Sequence, residues 1–321
     1  MTRTEEFQEL RPLLFSIAYR ILGSVSEAED AAPETWLRYQ AAPAPAASAR
    51  AFLSTVVTRI SIDVLRSARV RREEYAGPWL PEPLLTDPYG DPARSAELAD
   101  SVSMAALLLL ERLTPLERAV FVLREVFAFG LPEIAAAVGR SEAACHQLAV
   151  RARRHMAAGR VRFDADREER ERLAERFFGA FREGDVDGLA DLLAADVRLV
   201  GDSGGKAPQV RPVVLGAANV LRVLASFVPL VAGNGGVAEP RQVNGRPGSV
   251  LRDRHGQVLS TWALDVVDGR IQTIRAVNNP DKLGHVGPVA DAWEALRTAT
   301  NRAHRPGPER ARPDTSVIGD A

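Results

Sequence analysis

The stretch Leu131-Pro-Glu-Ile-Ala-Ala-Ala-Val-Gly139-Arg-Ser141-Glu-Ala-Ala-Cys-His-Gln-Leu148-Ala-Val-Arg151-Ala-Arg-Arg-His-Met156 decides how the first half of the chain folds. Pro132 suits a helix start, where its missing N–H leaves no bond unmade, so a short helix is expected over Pro132–Val138. Gly139 supplies a turn, and Ser141 offers a side-chain oxygen to cap a second helix. On that second helix Ala144, Leu148, Ala152 and Met156 share one face, suited to burial. His146, Gln147, Val150, Arg151, Arg153 and Arg154 lie opposite, where polar and basic groups reach phosphates and base edges if the helix lies in a major groove. The pattern reads as a helix-turn-helix.

Upstream, Phe7, Leu10, Leu14, Ile17 and Ile21 recur at helical spacing, with Gly23 as a C-cap. Ser26 and Glu29 read as a capping box that opens a second helix through Trp36 and Tyr39. After an Ala- and Pro-rich stretch at Ala41–Ala47, a third helix over Arg50–Arg69 buries Phe52, Leu53, Val56, Ile60 and Val64 and ends in Arg66, Arg69, Arg71 and Arg72. Together with Arg59 these form a second basic cluster, so two DNA-facing surfaces are expected on either side of a flexible linker. The linker, 73–100, holds Pro78, Pro81, Pro83, Pro88 and Pro92 and is expected to order only on docking.

Beyond about residue 163 the pattern changes. A helix near Arg167–Arg182, a short one over Val186–Leu193, and alternating segments Val258–Val266 and Ile271–Val277 joined by Asp268-Gly269 predict an α+β unit. From Gly287 the chain is polar and Pro-rich and is expected to be largely disordered. The boundaries are therefore 1–72, 73–100, 101–163, 167–286 and a tail at 287–321.

Composition narrows the class. Among 321 residues, 41 basic and 42 acidic side chains leave a charge of −1, so any attraction to nucleic acid is local. The longest apolar stretch, Met104–Leu110, is far below the roughly 20 residues that span a bilayer; a cytoplasmic protein with no membrane partner is expected. The lone Cys145 forms no internal disulfide and has only His146 beside it, so it is read as a small packed residue, with no metal site and no cofactor. The only lysines are Lys206 and Lys282.

These residues carry a family resemblance. Phe15–Gly23, Ala28-Glu-Asp30 and Glu34-Thr-Trp-Leu-Arg38 resemble region 2 of the extracytoplasmic-function (ECF) sigma factors, and Thr55–Asp63 with Arg66 resembles its promoter-melting part. Gly139–Leu148 with Arg151–Arg154 is similar to the region 4 helix-turn-helix. Trp79-Leu-Pro-Glu-Pro83, Asp202-Ser-Gly-Gly-Lys206 and Asn279-Pro-Asp-Lys-Leu283 resemble three signatures of the SigJ-like group, which ends in a SnoaL-like domain. The resemblance implies two all-α sigma domains plus an α+β SnoaL-like cone. Its expected partners are core RNA polymerase, at the β′ clamp and β flap, and promoter DNA, with no separate anti-sigma factor required.

By the same resemblance Asp30, Glu34 and Arg38 would touch core polymerase. Arg59, Asp63, Arg66 and Arg69 would face the −10 element, and His146, Gln147, Arg151, Arg153 and Arg154 the −35 element. Trp79, Pro81, Glu82, Asp202, Lys206, Asn279, Asp281 and Lys282 would regulate through interdomain contacts. Three departures stand out: Pro33 replaces a glutamine inside the second helix, predicting a kink or a weakened polymerase interface, Ser203 replaces a glycine, and His146 sits where the family often has arginine, predicting weaker phosphate contact and a shifted −35 preference. The alternative is a DNA-binding protein whose SnoaL-like pocket senses an unknown small molecule or acts as a cyclase or isomerase. No catalytic residues are assigned: no tyrosine follows Tyr89, and Asp202, His255 and His285 make no recognisable proton-transfer set.

Overall fold

The computed structural model describes residues 2–43, 48–89, 100–159, 167–209, 211–231 and 235–303. Helices α1 (Arg3–Leu22), α2 (Val25–Ala41) and α3 (Ala49–Glu73) come first. Gly23 ends α1 at φ 69°, a left-handed conformation that glycine adopts without steric cost. Only one residue is then needed before α2, which is capped by Ser24: its Oγ accepts the Glu27 amide at 3.1 Å. The capping box expected at Ser26 and Glu29 is not the one that opens the helix, because the start lies two residues earlier. α2 continues through Pro33, which costs one backbone bond without ending the helix.

The second helical unit comprises α4 (Met104–Leu110), α5 (Pro115–Phe121), a π-helical turn (Val122–Val126), α6 (Leu131–Val138) and α7 (Glu142–Gly159). The expected helix-turn-helix is α6–α7: Gly139 turns at φ 64°, and the Ala144 amide donates to Ser141 Oγ at 3.3 Å. The inward face of α7 is Cys145, Ala149 and Ala152, with Leu148 and Met156 partly buried. Ala144, expected on that face, is only half-buried. The small side chains of Cys145, Ala149 and Ala152 let α7 approach α5 closely, which turns the helix toward them.

The two helical units are not separated. Leu14, Ile17, Leu53 and Val57 share one apolar core with Leu107, Val120, Leu123 and Ile134, and α3 lies against α6.

The C-terminal unit opens with α8 (Arg167–Glu183) and α9 (Val186–Leu192). Six strands follow: β1 (Leu193–Asp202), β2 (Val213–Leu215), β3 (Val237–Val243), β4 (Arg246–Arg252), β5 (Val258–Val267) and β6 (Arg270–Val277). Their spatial order is β2-β1-β6-β5-β4-β3, with only β1 and β6 parallel. Asp268 and Gly269, at φ 49° and 69°, make the expected β5–β6 hairpin.

Alternation along the strands gives the sheet two buried faces. Leu199, Trp262, Leu264, Ile274 and Ala276 face Phe177, Phe178 and Phe181 of α8 and Leu224 of α10 (Ala217–Val231). Val243, Val250, Ala263 and Val277 point the other way, where Leu80 of the linker and Met104 of α4 cover them. The tail expected to be disordered starts instead with Val289 bridging to Val258 and with α11 (Ala292–Ala303), capped by Asp291 Oδ1 at the Trp293 and Glu294 amides. Ala292 and Ala295 pack on the inner core at helical spacing. Residues 304–321 lie outside the described residues.

Candidate nucleic-acid interface and interdomain junction

On α7 the side chains His146, Gln147, Arg151, Arg153 and Arg154 are all exposed. Gln147, Arg151 and Arg154 stand opposite the buried stripe, while Arg153 lies on a flank, 3.7 Å from Glu125. The basic end of α3 behaves differently. Arg59 donates to the last carbonyls of α6, Ala137 O at 3.1 Å and Ala136 O at 2.6 Å, a favourable place for a cation. Arg66 pairs with Asp63 at 3.2 Å, both exposed. The side chains of Arg69, Arg71 and Arg72 lie outside the described residues. On α2, Asp30 and Glu34 are exposed, Arg38 pairs with Glu34, and Leu37 is 63% exposed beside them.

Residues 74–89 run extended between the sigma helices and the outer sheet face. Asp202, at the end of β1, is fully buried and accepts from the Leu80 amide and from Lys282 Nζ, each at 2.7 Å. It also accepts from the Tyr75 hydroxyl. Lys282 donates to Leu80 O at 2.5 Å and lies 4.3 Å from the ring centre of Trp79 and 4.8 Å from that of Tyr75. A compact ammonium fits between two rings while reaching a carboxylate and a carbonyl, which a planar guanidinium would not do in the same space. Burial first, and then the bond to Asp202, push the Tyr75 hydroxyl pKa up, so it stays a neutral donor. Asn279 donates to the Tyr75 hydroxyl at 2.7 Å, and His285 bonds Pro83 O at 2.6 Å.

Comparison with known proteins gives the junction its context. Residues 7–71 match the model for Sigma-70 region 2, and residues 103–156 that for Sigma-70, region 4. Over 309 residues the chain is 37% identical to the ECF RNA polymerase sigma factor SigJ of Mycobacterium tuberculosis, covering 94% of this chain and 98% of that protein. The chain belongs to the ECF sigma factors. It is also 31% identical over 285 residues to the probable ECF RNA polymerase sigma factor SigI of the same organism, covering 85% and 92% of the two chains. The crystal structure of SigJ aligns at a TM-score of 0.69 with 34% identity, over 89% of this chain and all of that one.

In this sigma factor the three signature segments meet at one place. Asp202, Asn279 and Lys282 form the buried contact against the half-buried ring of Trp79, and Pro81 is buried beside it. Lys206 and Asp281 form an ion pair at its exposed rim. Ser203 is not among the residues with positive φ, so the lost glycine costs no strain there. Glu82 departs from expectation. Its carboxylate does not bond the C-terminal unit but caps α2, accepting from the Val25 amide at 2.8 Å, the Ser26 amide at 3.0 Å and the Ser24 hydroxyl at 2.7 Å.

Sequence reading missed Asn244. It sits with Gly245 in the β3–β4 turn, at φ 54° and 66°, and is 1% exposed. The Asn-Gly pair is a legible hairpin signal, but nothing local reveals what the amide touches. The alternative reading gives the C-terminal domain a pocket for a small molecule. A cavity of about 20 Å³ lies among Leu199, Gly201, Val223, Phe227, Trp262 and Asn278, with room for about one water. Gln209 crosses it, donating to Gly201 O and accepting from Ser203 Oγ, both at 2.7 Å. His255 is exposed in the β4–β5 turn, and Asp202 ends β1, which is separated from β4 by β6 and β5. Among the described residues no group of three His, Cys, Asp or Glu is placed to hold a metal, and no helix is long and apolar enough to cross a membrane.

Proposed function

We propose that this ECF sigma factor directs core RNA polymerase to its promoters, working in the cytoplasm, and that its SnoaL-like domain controls it in cis by holding a closed arrangement. In this reading Asp30, Glu34 and Arg38 on α2 dock on polymerase. Arg66, with Asp63 and Arg69, faces the −10 element, and Gln147, Arg151 and Arg154 contact the −35 element, flanked by His146 and Arg153.

The observation that carries the closed state is Arg59 seated on the carbonyls of Ala136 and Ala137, where the −10 helix α3 lies against the helix-turn-helix. Promoter elements centred near −10 and −35 stand roughly 25 base pairs apart, about 85 Å of duplex at about 3.4 Å each. Two helices in contact do not span that distance, so promoter engagement requires them to part. The Asp202–Lys282 contact and the hairpin at Asn244 tie the linker to the C-terminal sheet and oppose the parting. The SnoaL-like domain acts as a structural regulator, with no separate anti-sigma factor required and no catalytic role of its own.

Run-off transcription with bacterial core polymerase, on a promoter selected by this protein, tests the proposal. The full chain is compared with versions ending near Phe163 and near Gly284. Transcripts that depend on the protein, in amounts that change with the C-terminal domain, are expected. Folded protein that never supports a transcript would refute it.

A further inference from the structure

Both ends of the Asn244 side-chain amide and its backbone N–H are bonded, and together they reach three different segments. Its Nδ2 donates to Tyr19 Oη at 2.6 Å and to Val102 O at 2.9 Å, its Oδ1 accepts the Leu84 amide at 3.0 Å, and its own amide donates to Leu84 O at 2.7 Å. The amide orientation is fixed by its partners: Leu84 N–H demands an oxygen and Val102 C=O demands a donor. Tyr19, fully buried on α1, passes the contact on, because its hydroxyl donates to Glu82 O at 2.7 Å. Glu82 in turn binds Gly23 O through its amide at 2.9 Å and caps the first turn of α2 with its carboxylate.

We infer that Asn244 is a positioning residue for α2, acting through Tyr19 and Glu82, so that the hairpin turn of the C-terminal domain sets the order of the helix that docks on polymerase. The physical reason is the orphan donors at a helix start. The first turn of α2 carries an acidic side chain of its own, the half-buried Glu27, yet two of its free amides are met by a carboxylate from the linker rather than from the helix itself. A cap borrowed from the linker holds only while the linker stays in place. The linker backbone beside that cap is gripped by Tyr19 and Asn244, all of them 7% exposed or less. Buried bonds of this kind have no water to replace them when one partner is removed.

The inference rests on the proposed docking role of α2, and its test separates the two. Full-length Tyr19→Phe removes one hydroxyl from the chain of contacts and little volume; Asn244→Asp keeps the acceptor and the turn residue but loses both donors. Hydrogen exchange at the Val25 and Ser26 amides is read first, and core-polymerase affinity second. Both variants are expected to speed exchange at those two amides and to weaken polymerase binding about tenfold. The double variant is expected to be little worse than the stronger single, because the two substitutions cut one chain. Additive effects, or exchange at Val25 and Ser26 that matches the parent, would overturn the inference. So would faster exchange with unchanged polymerase affinity, provided Glu34→Lys still abolishes binding. If Glu34→Lys leaves binding intact, the docking role of α2 falls instead, and exchange at the two amides still decides whether Asn244 orders the helix.

Discussion

The two faces of the C-terminal sheet are both buried, and they are built differently. The inner face is covered by helices of its own domain and is closed with aromatic rings: Phe181 lies 5.1 Å from Trp262, and Phe227 meets the same indole edge-on at 6.3 Å. The outer face is covered by the sigma half, and its boundary carries Asp202, Asn244 and Lys282, all buried and all bonded. Apolar packing rewards any close fit, whereas a buried charge or amide rewards one arrangement and penalises others. The contrast teaches that the inner face makes the domain, while the outer face specifies where the sigma helices and linker sit.

That contrast is open to direct attack. Trp262→Ala should have the largest effect, about 4 kcal/mol, because it removes the ring on which Phe181 and Phe227 close. It should melt the C-terminal domain at a lower temperature in a calorimetric scan; a single unshifted transition would mean that the inner face is not the domain's own core. Asp202→Ala should come next, about 3 kcal/mol, since it strands the Lys282 ammonium without its carboxylate. Small-angle scattering should then report a larger molecule, and adding Lys282→Met should restore compactness. If the double variant stays as expanded as the single, the pair matters for more than neutralising a buried charge.

A smaller effect, about 1 kcal/mol, is expected from Arg59→Met, which takes two donated bonds from the end of α6. Tryptic cleavage in the linker should speed up in this variant, and an unchanged rate would show that α3 and α6 stay closed without it. Lys206→Ala should sharpen the comparison by doing almost nothing, within about 0.5 kcal/mol, because its ion pair with Asp281 is more than half exposed on both sides. A large loss there would mean that the exposed rim, and not the buried contact, holds the junction.

Much of the architecture was legible. Phe7, Leu14 and Ile17 mark the inward stripe of α1 by spacing alone, Gly139 marks the turn of the helix-turn-helix, and Asp268-Gly269 marks a hairpin. The errors lay where a distant segment overruled a local signal. Ser26 and Glu29 have the form of a capping box, but the helix start belongs to Ser24, and Ser26 is bonded to Glu82, 56 residues away. Glu82 was placed with the interdomain contacts by its motif, yet its carboxylate serves α2. A distant contact also joins Arg59, read as DNA-facing, to a helix end 78 residues away, which leaves that role untested.

The sequence by itself determined the helices of the first unit, the β5–β6 turn, the helix-turn-helix and the family, because each depends on periodicity or on motifs a few residues long. Only the tertiary structure decided that the two sigma units share one core, that Lys282 lies between two rings, and that Asn244 meets a tyrosine 225 positions earlier. Such contacts leave no pattern along the chain. Their partners are chosen by which surfaces the folded elements bring together, and a single buried amide carries no periodicity from which its neighbour can be read.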